Sequence, residues 1–176
     1  MTKHLIVDAS ALRDLRRLRL FYPLSRMGYT LHTTTPALTT AGVTTGFITN
    51  VTGDSDTFII EEITETELSG LIAYRVQHPG ITLSDCSVLL KSGNYGYTIL
   101  TSDPAVVSIA SLNNIAVLNY VGLFQIMVHN KLLSIAEATE KYLELTTRVN
   151  ILADTDPPDV QHIRFHSNGI NCKTAG

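Results

Sequence analysis

His4-Leu-Ile-Val-Asp-Ala-Ser-Ala-Leu-Arg-Asp-Leu-Arg-Arg17 is the stretch that decides the fold. Its first part is a short β-branched apolar run that stops at Asp8, and its second part holds good helix formers from Ala9 to Arg17. A strand therefore feeds a helix across one acidic residue. The same pattern recurs downstream. Residues 29–34 read as a second strand, followed by Pro36 at an early helical position and a weak helix. Residues 57–60 read as a third strand, ahead of a helix over 65–76 whose apolar face is Leu68, Leu71, Ile72 and Val76. Pro79-Gly80 breaks that helix, and Thr82 to Asp85 opens another that runs to about Lys91. Strand 97–101, helix 104–112 and strand 115–118 follow, and helices over about 121–128 and 135–145 complete the core. Such alternation implies an α/β fold, a three-layer α/β/α sandwich with a central parallel sheet.

Three stretches are less regular. The first helix continues or restarts through Leu18 to Met27, with Pro23 bending it or opening a second one and Gly28 closing it. Residues 43–56, rich in Thr, Gly, Asn and Asp, read as turns or loops. Asp154-Thr-Asp-Pro-Pro-Asp159 is an acidic, breaker-rich linker, so the chain divides into one domain over 1–152 and a C-terminal tail over 153–176. His162, His166 and Cys172 in that tail complete no standard zinc pattern.

The 176 residues, with 44% hydrophobic and 16% charged, suffice for one domain with a full core. A formal net charge of −3 argues against nucleic acid held by an overall basic surface, so any such contact is local. The basic cluster is Arg13, Arg16, Arg17 and Arg19; the first three share a helix face and are candidate contacts for a phosphate backbone or an acidic partner, or form a solvated face. No eighteen uncharged apolar residues run together, and Asp8 stands where the core of a secretory signal would continue. The expectation is a cytoplasmic protein without a membrane segment. Two cysteines make no disulfide framework, and Cys86 reads as a small buried residue.

The chemistry lies in the aspartates. Asp8 and Asp103 each follow a strand and open a helix, and Asp85 sits in the first turn of another. Each alone has a structural explanation, since Asp is a preferred N-cap and a carboxylate suits the positive end of a helix. In an open parallel sheet, however, strand carboxyl ends share one edge, and ligands bind where the strand order reverses. Acids gathered there repel unless protons or cations intervene. Magnesium takes oxygen ligands, one or two carboxylates with waters and phosphate oxygens, which points to phosphodiester chemistry.

Leu5-Ile-Val-Asp-Ala-Ser-Ala-Leu12, Ile81-Thr-Leu-Ser-Asp-Cys-Ser-Val-Leu89, Thr98-Ile-Leu-Thr-Ser-Asp103 and Ile115-Ala-Val-Leu118, in that order and spacing, resemble a PIN domain over roughly residues 4–145. The resemblance implies a metal-dependent endoribonuclease in which Asp8, Asp85 and Asp103 hold Mg²⁺ or Mn²⁺ and a hydroxyl such as Thr101 or Ser10 assists. Hydrolysis of RNA would then be an in-line attack by an activated water. Residues 121–135 are similar to the branch near the toxins of bacterial toxin–antitoxin pairs, which implies an antitoxin partner and a homodimer. One departure is plain. The family commonly carries a further acid on the helix after the second strand, where this chain has Thr39 and Thr40. Asp54, Asp56, Glu61 or Glu62 are acids the site could borrow, while Glu61, Glu62, Glu65 and Glu67 also read as a solvated face and helix-start acids. The departure raises a second reading, a catalytically impaired PIN-fold module for nucleic-acid or protein interaction. A third is a doubly wound small-molecule-binding protein with ordinary capping acids.

Overall fold

The extended run Lys3–Val7 forms β1, and Asp8, at φ −78° and ψ 173°, ends it and caps helix α1 (Ala9–Arg17). The computed structural model describes residues 3–53 and 58–152. Asp54, Asp56 and the tail over 153–176, with Asp154 to Asp159, His162, His166 and Cys172, lie outside the described residues. After α1 come α2 (Phe21–Ser25), β2 (Tyr29–Thr34), α3 (Thr35–Ala41), α4 (Thr45–Thr52), β3 (Phe58–Glu61), α5 (Glu65–Gln77) and α6 (Leu83–Tyr95). Then follow β4 (Thr98–Leu100), α7 (Pro104–Leu112), β5 (Val117–Leu118), α8 (Tyr120–His129) and α9 (Ile135–Leu152).

The five strands form one sheet in the order β3-β2-β1-β4-β5, and every pairing is parallel. The expected α/β/α sandwich is therefore the architecture. The chain moves one way across the sheet from β1 to β3 and the other way from β3 to β5, so crossovers of the usual right hand put α1 to α4 on one face and α5 to α7 on the other. Helices α8 and α9 return to α1, where the Tyr120 hydroxyl donates to Asp14 Oδ2 at 3.1 Å and Lys141 Nζ donates to the Leu18 carbonyl at 2.8 Å. Leu5, Ile6, Val7, Leu31, Ile99 and Leu100 are buried sheet residues, as expected of strands covered on both faces. The strand order reverses between β1 and β4, which opens a crevice beyond their carboxyl ends.

Three readings of the sequence need correction. The stretch expected to be loop contains α4, started by Thr44, whose hydroxyl accepts from the Phe47 amide at 3.2 Å, and ended by Gly53 at φ 76°. Phe47, Ile48 and Val51 give it an inward face, so packing outweighs the low helix propensity of its Thr and Asn residues. The break between α1 and α2 falls at Arg19, in the left-handed region at φ 57°, and Pro23 sits within the first turn of α2, where its missing N–H costs no helical bond. Helix α5 is turned from its expected orientation. Only Leu71 of the four apolar residues is buried; Leu68, Ile72 and Val76 are 50%, 54% and 73% exposed.

What turns α5 is a polar cluster beneath it. Lys91 Nζ, buried on α6, donates to Glu67 Oε2 at 2.8 Å and lies 3.7 Å from Glu61 Oε2. Glu61 Oε1 meets His32 Nδ1 at 2.9 Å and accepts from the Tyr97 hydroxyl at 3.2 Å; His32 Nε2 in turn meets His4 Nδ1 at 2.9 Å. Glu67 is thus a core residue, and Glu61 a partly buried one, rather than members of a solvated face; Glu62 and Glu65 are exposed as expected. Burial works against the Glu67 charge, yet Lys91 and the amide and hydroxyl of Thr64 bring its carboxyl down to about 2. Burial pushes the His32 imidazole below its ordinary range, against the pull of Glu61, and pushes the Tyr97 hydroxyl up to about 12 with the help of the Glu61 charge.

Candidate active site

Asp8 is placed by β1 and α1 together. Its backbone N–H donates to the Leu100 carbonyl at 3.3 Å, continuing the β1–β4 ladder, and its carbonyl accepts from the Leu12 amide at 2.9 Å, starting α1. Its Oδ1 accepts from the Ala11 amide at 2.6 Å and from the Ser10 hydroxyl at 2.8 Å. Asp8 is therefore an N-cap, as its structural reading held. A cap uses only one carboxylate oxygen. The other, Oδ2, is buried without a well-formed hydrogen bond among the described residues, the Thr101 hydroxyl being the nearby donor that favours the charged carboxyl. Burial raises the Asp8 carboxyl above the ordinary range; Thr101, Ala11 and Ser10 oppose that rise, and the charge of Asp85 adds to it.

Asp85 arrives from α6, which runs back toward the start of β4, so its first turn lies at the carboxyl edge of the sheet. Thr82 caps this helix: Asp85 Oδ2 accepts from the Thr82 amide at 2.9 Å and hydroxyl at 2.7 Å, while the Asp85 amide donates to Thr82 Oγ1 at 3.2 Å. This reciprocal cap leaves Asp85 Oδ1 without a protein partner among the described residues. Replacing Thr82 by alanine is expected to cost about 1 kcal/mol of stability, read from urea denaturation, because both the cap and the brace on Asp85 go. Ser84 Oγ, next to Asp85, is a second buried oxygen without a partner among the described residues. Nothing in the sequence singled Ser84 out.

Asp103 caps α7 through Oδ1, which accepts from the Ala105 amide at 2.8 Å. Its own amide donates to Thr101 Oγ1 at 3.0 Å, so the buried Thr101 hydroxyl stands between Asp8 and Asp103. Asp8 and Asp85 feel each other's charge, whereas Asp103 is joined to the pair through Thr101. Among the described residues no three His, Cys, Asp or Glu side chains group closely enough to hold a metal ion together. The donor set fits a hard cation on two carboxylates: among the described residues Asp8 Oδ2 is buried with only the Thr101 hydroxyl near it, Asp85 Oδ1 accepts no hydrogen bond, and magnesium commonly takes one or two carboxylates with water completing its shell.

The remaining candidates divide. Thr39 and Thr40 are exposed on α3; Thr39 Oγ1 donates back to the Thr35 carbonyl at 3.0 Å, and neither adds an acid to the edge. Glu62 is fastened outside by the Thr35 hydroxyl at 2.7 Å, and Glu61 belongs to the cluster under α5. Arg13 and Arg16 are exposed and reach α3, with Nη1 atoms 3.4 Å from the Thr40 carbonyl and 3.0 Å from the Gly42 carbonyl. Arg17 departs from that face, because its Nη2 pairs with Asp14 Oδ1 at 3.1 Å. Cys86 is fully buried, and burial pushes its thiol up. No helix among the described residues is long and apolar enough to cross a membrane.

No protein-family model matches the chain. No curated protein matches it either. Among solved structures, the crystal structure of PAE2754 from Pyrobaculum aerophilum is similar with a TM-score of 0.48 and 17% sequence identity, over 68% of this chain and 92% of that chain.

Proposed function

We propose that this chain is a Mg²⁺- or Mn²⁺-dependent endoribonuclease of PIN type, acting on RNA in the cytoplasm at the carboxyl edge between β1 and β4. The observation that carries the reading is Asp8 Oδ2: a carboxylate oxygen buried at the strand-order reversal, with no well-formed bond among the described residues and the Asp85 carboxylate within electrostatic range. Two acids so placed repel each other, and a divalent cation relieves both. When bound, the cation supplies Lewis-acid activation of water and stabilises the departing oxygen. The protein's residues do the positioning. Ser10 and the Ala11 amide hold Oδ1 of Asp8, which aims Oδ2 outward from the cap. Thr82 locks one oxygen of Asp85 and presents the other. Thr101 links the backbone of Asp103 to Asp8.

Burial raises the Asp8 carboxyl of the metal-free chain, so protons compete with the cation for this oxygen as the pH falls. Cleavage of single-stranded RNA with Mn²⁺ is therefore expected, with a rate that falls as the medium is acidified. Purified chain that leaves RNA intact across a Mn²⁺ series would remove the reading.

Helix α3 favours a second reading. Thr39 and Thr40 offer no carboxylate, which suits a PIN-fold module that binds RNA without cutting it. The two readings part on one comparison: the binding module holds intact RNA equally well with and without Mn²⁺, and the nuclease consumes it only with Mn²⁺.

A further inference from the structure

Past the ends of β2 and β3, a groove of about 590 Å³ runs along α3, lined by Leu38, Val43 and Ile60 and by Thr35, Thr39 and Glu62. We propose that this groove receives the base of a nucleotide adjoining the phosphate that a cation on Asp8 would hold, and that Glu62 reads the base. The inference rests on the nuclease reading and adds a recognition site to it.

Position is the first argument. Thr35 directly follows β2 and Glu62 directly follows β3, one and two strands from β1 in the sheet, hence about 5 and 10 Å from the Asp8 end at ordinary strand spacing. That is within reach of a neighbouring nucleotide. The volume lies in the range of small-ligand sites, roughly 300–1,000 Å³.

Chemistry is the second. Ile60, with the small exposed edges of Leu38 and Val43, offers the apolar contact that a base face needs. The Thr35 hydroxyl fixes Glu62 by a 2.7 Å bond to Oε1, and Oε2 has no partner among the described residues. A free carboxylate oxygen accepts from N–H groups on a base edge and repels phosphate, so the base rather than the backbone enters. The cations stand outside the groove. Arg13 and Arg16 are held against the last turn of α3 at Thr40 and Gly42, where Gly42 also lines the groove, and each guanidinium keeps donors for a phosphate. Guanine presents two adjacent N–H donors on its Watson–Crick edge and uracil one, so guanine is the better occupant.

The test is a methyl NMR titration of the full chain, without metal, using GMP and UMP. The expected result is movement of the Leu38, Val43 and Ile60 methyl signals, with GMP bound about tenfold more tightly than UMP, as for one well-placed base-edge contact. Glu62 is exposed, so Glu62→Gln is expected to leave the fold intact and to erase that preference. Unmoved groove methyls, equal affinities in the wild-type chain, or a preference that survives Glu62→Gln would each overturn the proposal. Loss of the nuclease reading is seen elsewhere, in Mn²⁺-dependent cleavage and its response to Asp8→Asn, so the two outcomes stay separate.

Discussion

Asp8→Asn is expected to lower Mn²⁺-dependent RNA cleavage by about a thousandfold or more while raising the stability of the metal-free protein at neutral pH. The first effect follows from losing the buried oxygen proposed to hold the cation, since metal stabilisation of a charged transition state is worth several kcal/mol, about 4 of which make a factor of a thousand. The second follows from linkage. The folded-state value of the Asp8 carboxyl lies above its unfolded value, so between the two the native chain binds more protons, and stability falls as pH rises through that window. At neutral pH the buried charge opposes folding. Asparagine keeps an oxygen for the Ser10 hydroxyl and Ala11 amide and carries no charge. Thermal unfolding in chelator and single-turnover cleavage in Mn²⁺ together check the pair. A variant that loses stability and keeps activity would mean that Asp8 is a cap and nothing more.

Lys91→Ala is expected to destabilise the fold by about 3–5 kcal/mol, the usual cost of removing one partner from a buried ion pair. Two carboxylates, Glu61 and Glu67, share this one ammonium group, which is itself buried. Without it, Glu67 must stay charged in the core or take up a proton. The effect has a pH signature. In the wild-type chain the Glu67 carboxyl sits at about 2 against an ordinary 4.5, so its contribution to stability is fully present above the ordinary value and is lost as pH falls through the lower one. Lys91→Ala is expected to flatten that acid limb. The double variant Lys91→Met, Glu67→Gln is expected to recover part of the loss, because an uncharged pair leaves no orphaned carboxylate at Glu67. Urea denaturation from pH 2 to pH 7 reads all three proteins.

The parts of the fold that were legible in the sequence are those decided locally. A β-branched run, one aspartate and a series of helix formers fix where β1 ends and α1 begins, and the same holds at β4 and Asp103-Pro104. The parallel sheet followed from repetition of that unit. The orientation of α5 was not legible, because a 3.6-residue apolar period marks a face without saying whether a stronger attraction turns it outward. That attraction is Lys91, 24 residues from Glu67 in the chain, and no local pattern announces a pair so distant. In the site, the positions of Asp8, Asp85 and Asp103 at helix starts were readable, and so was their capping. What only coordinates reveal is that capping leaves Asp8 Oδ2 buried and unspent, that Ser84 is buried beside Asp85, and that Thr101 stands between Asp8 and Asp103.

The cation itself is the most direct measurement. Anomalous diffraction from crystals soaked in Mn²⁺ is expected to show a peak about 2.1 Å from Asp8 Oδ2, the distance at which a small hard cation meets oxygen, with Asp85 Oδ1 as its second protein ligand. A carboxyl edge that stays free of anomalous density, with Asp8 Oδ2 turned into a hydrogen bond to the protein, would contradict the account.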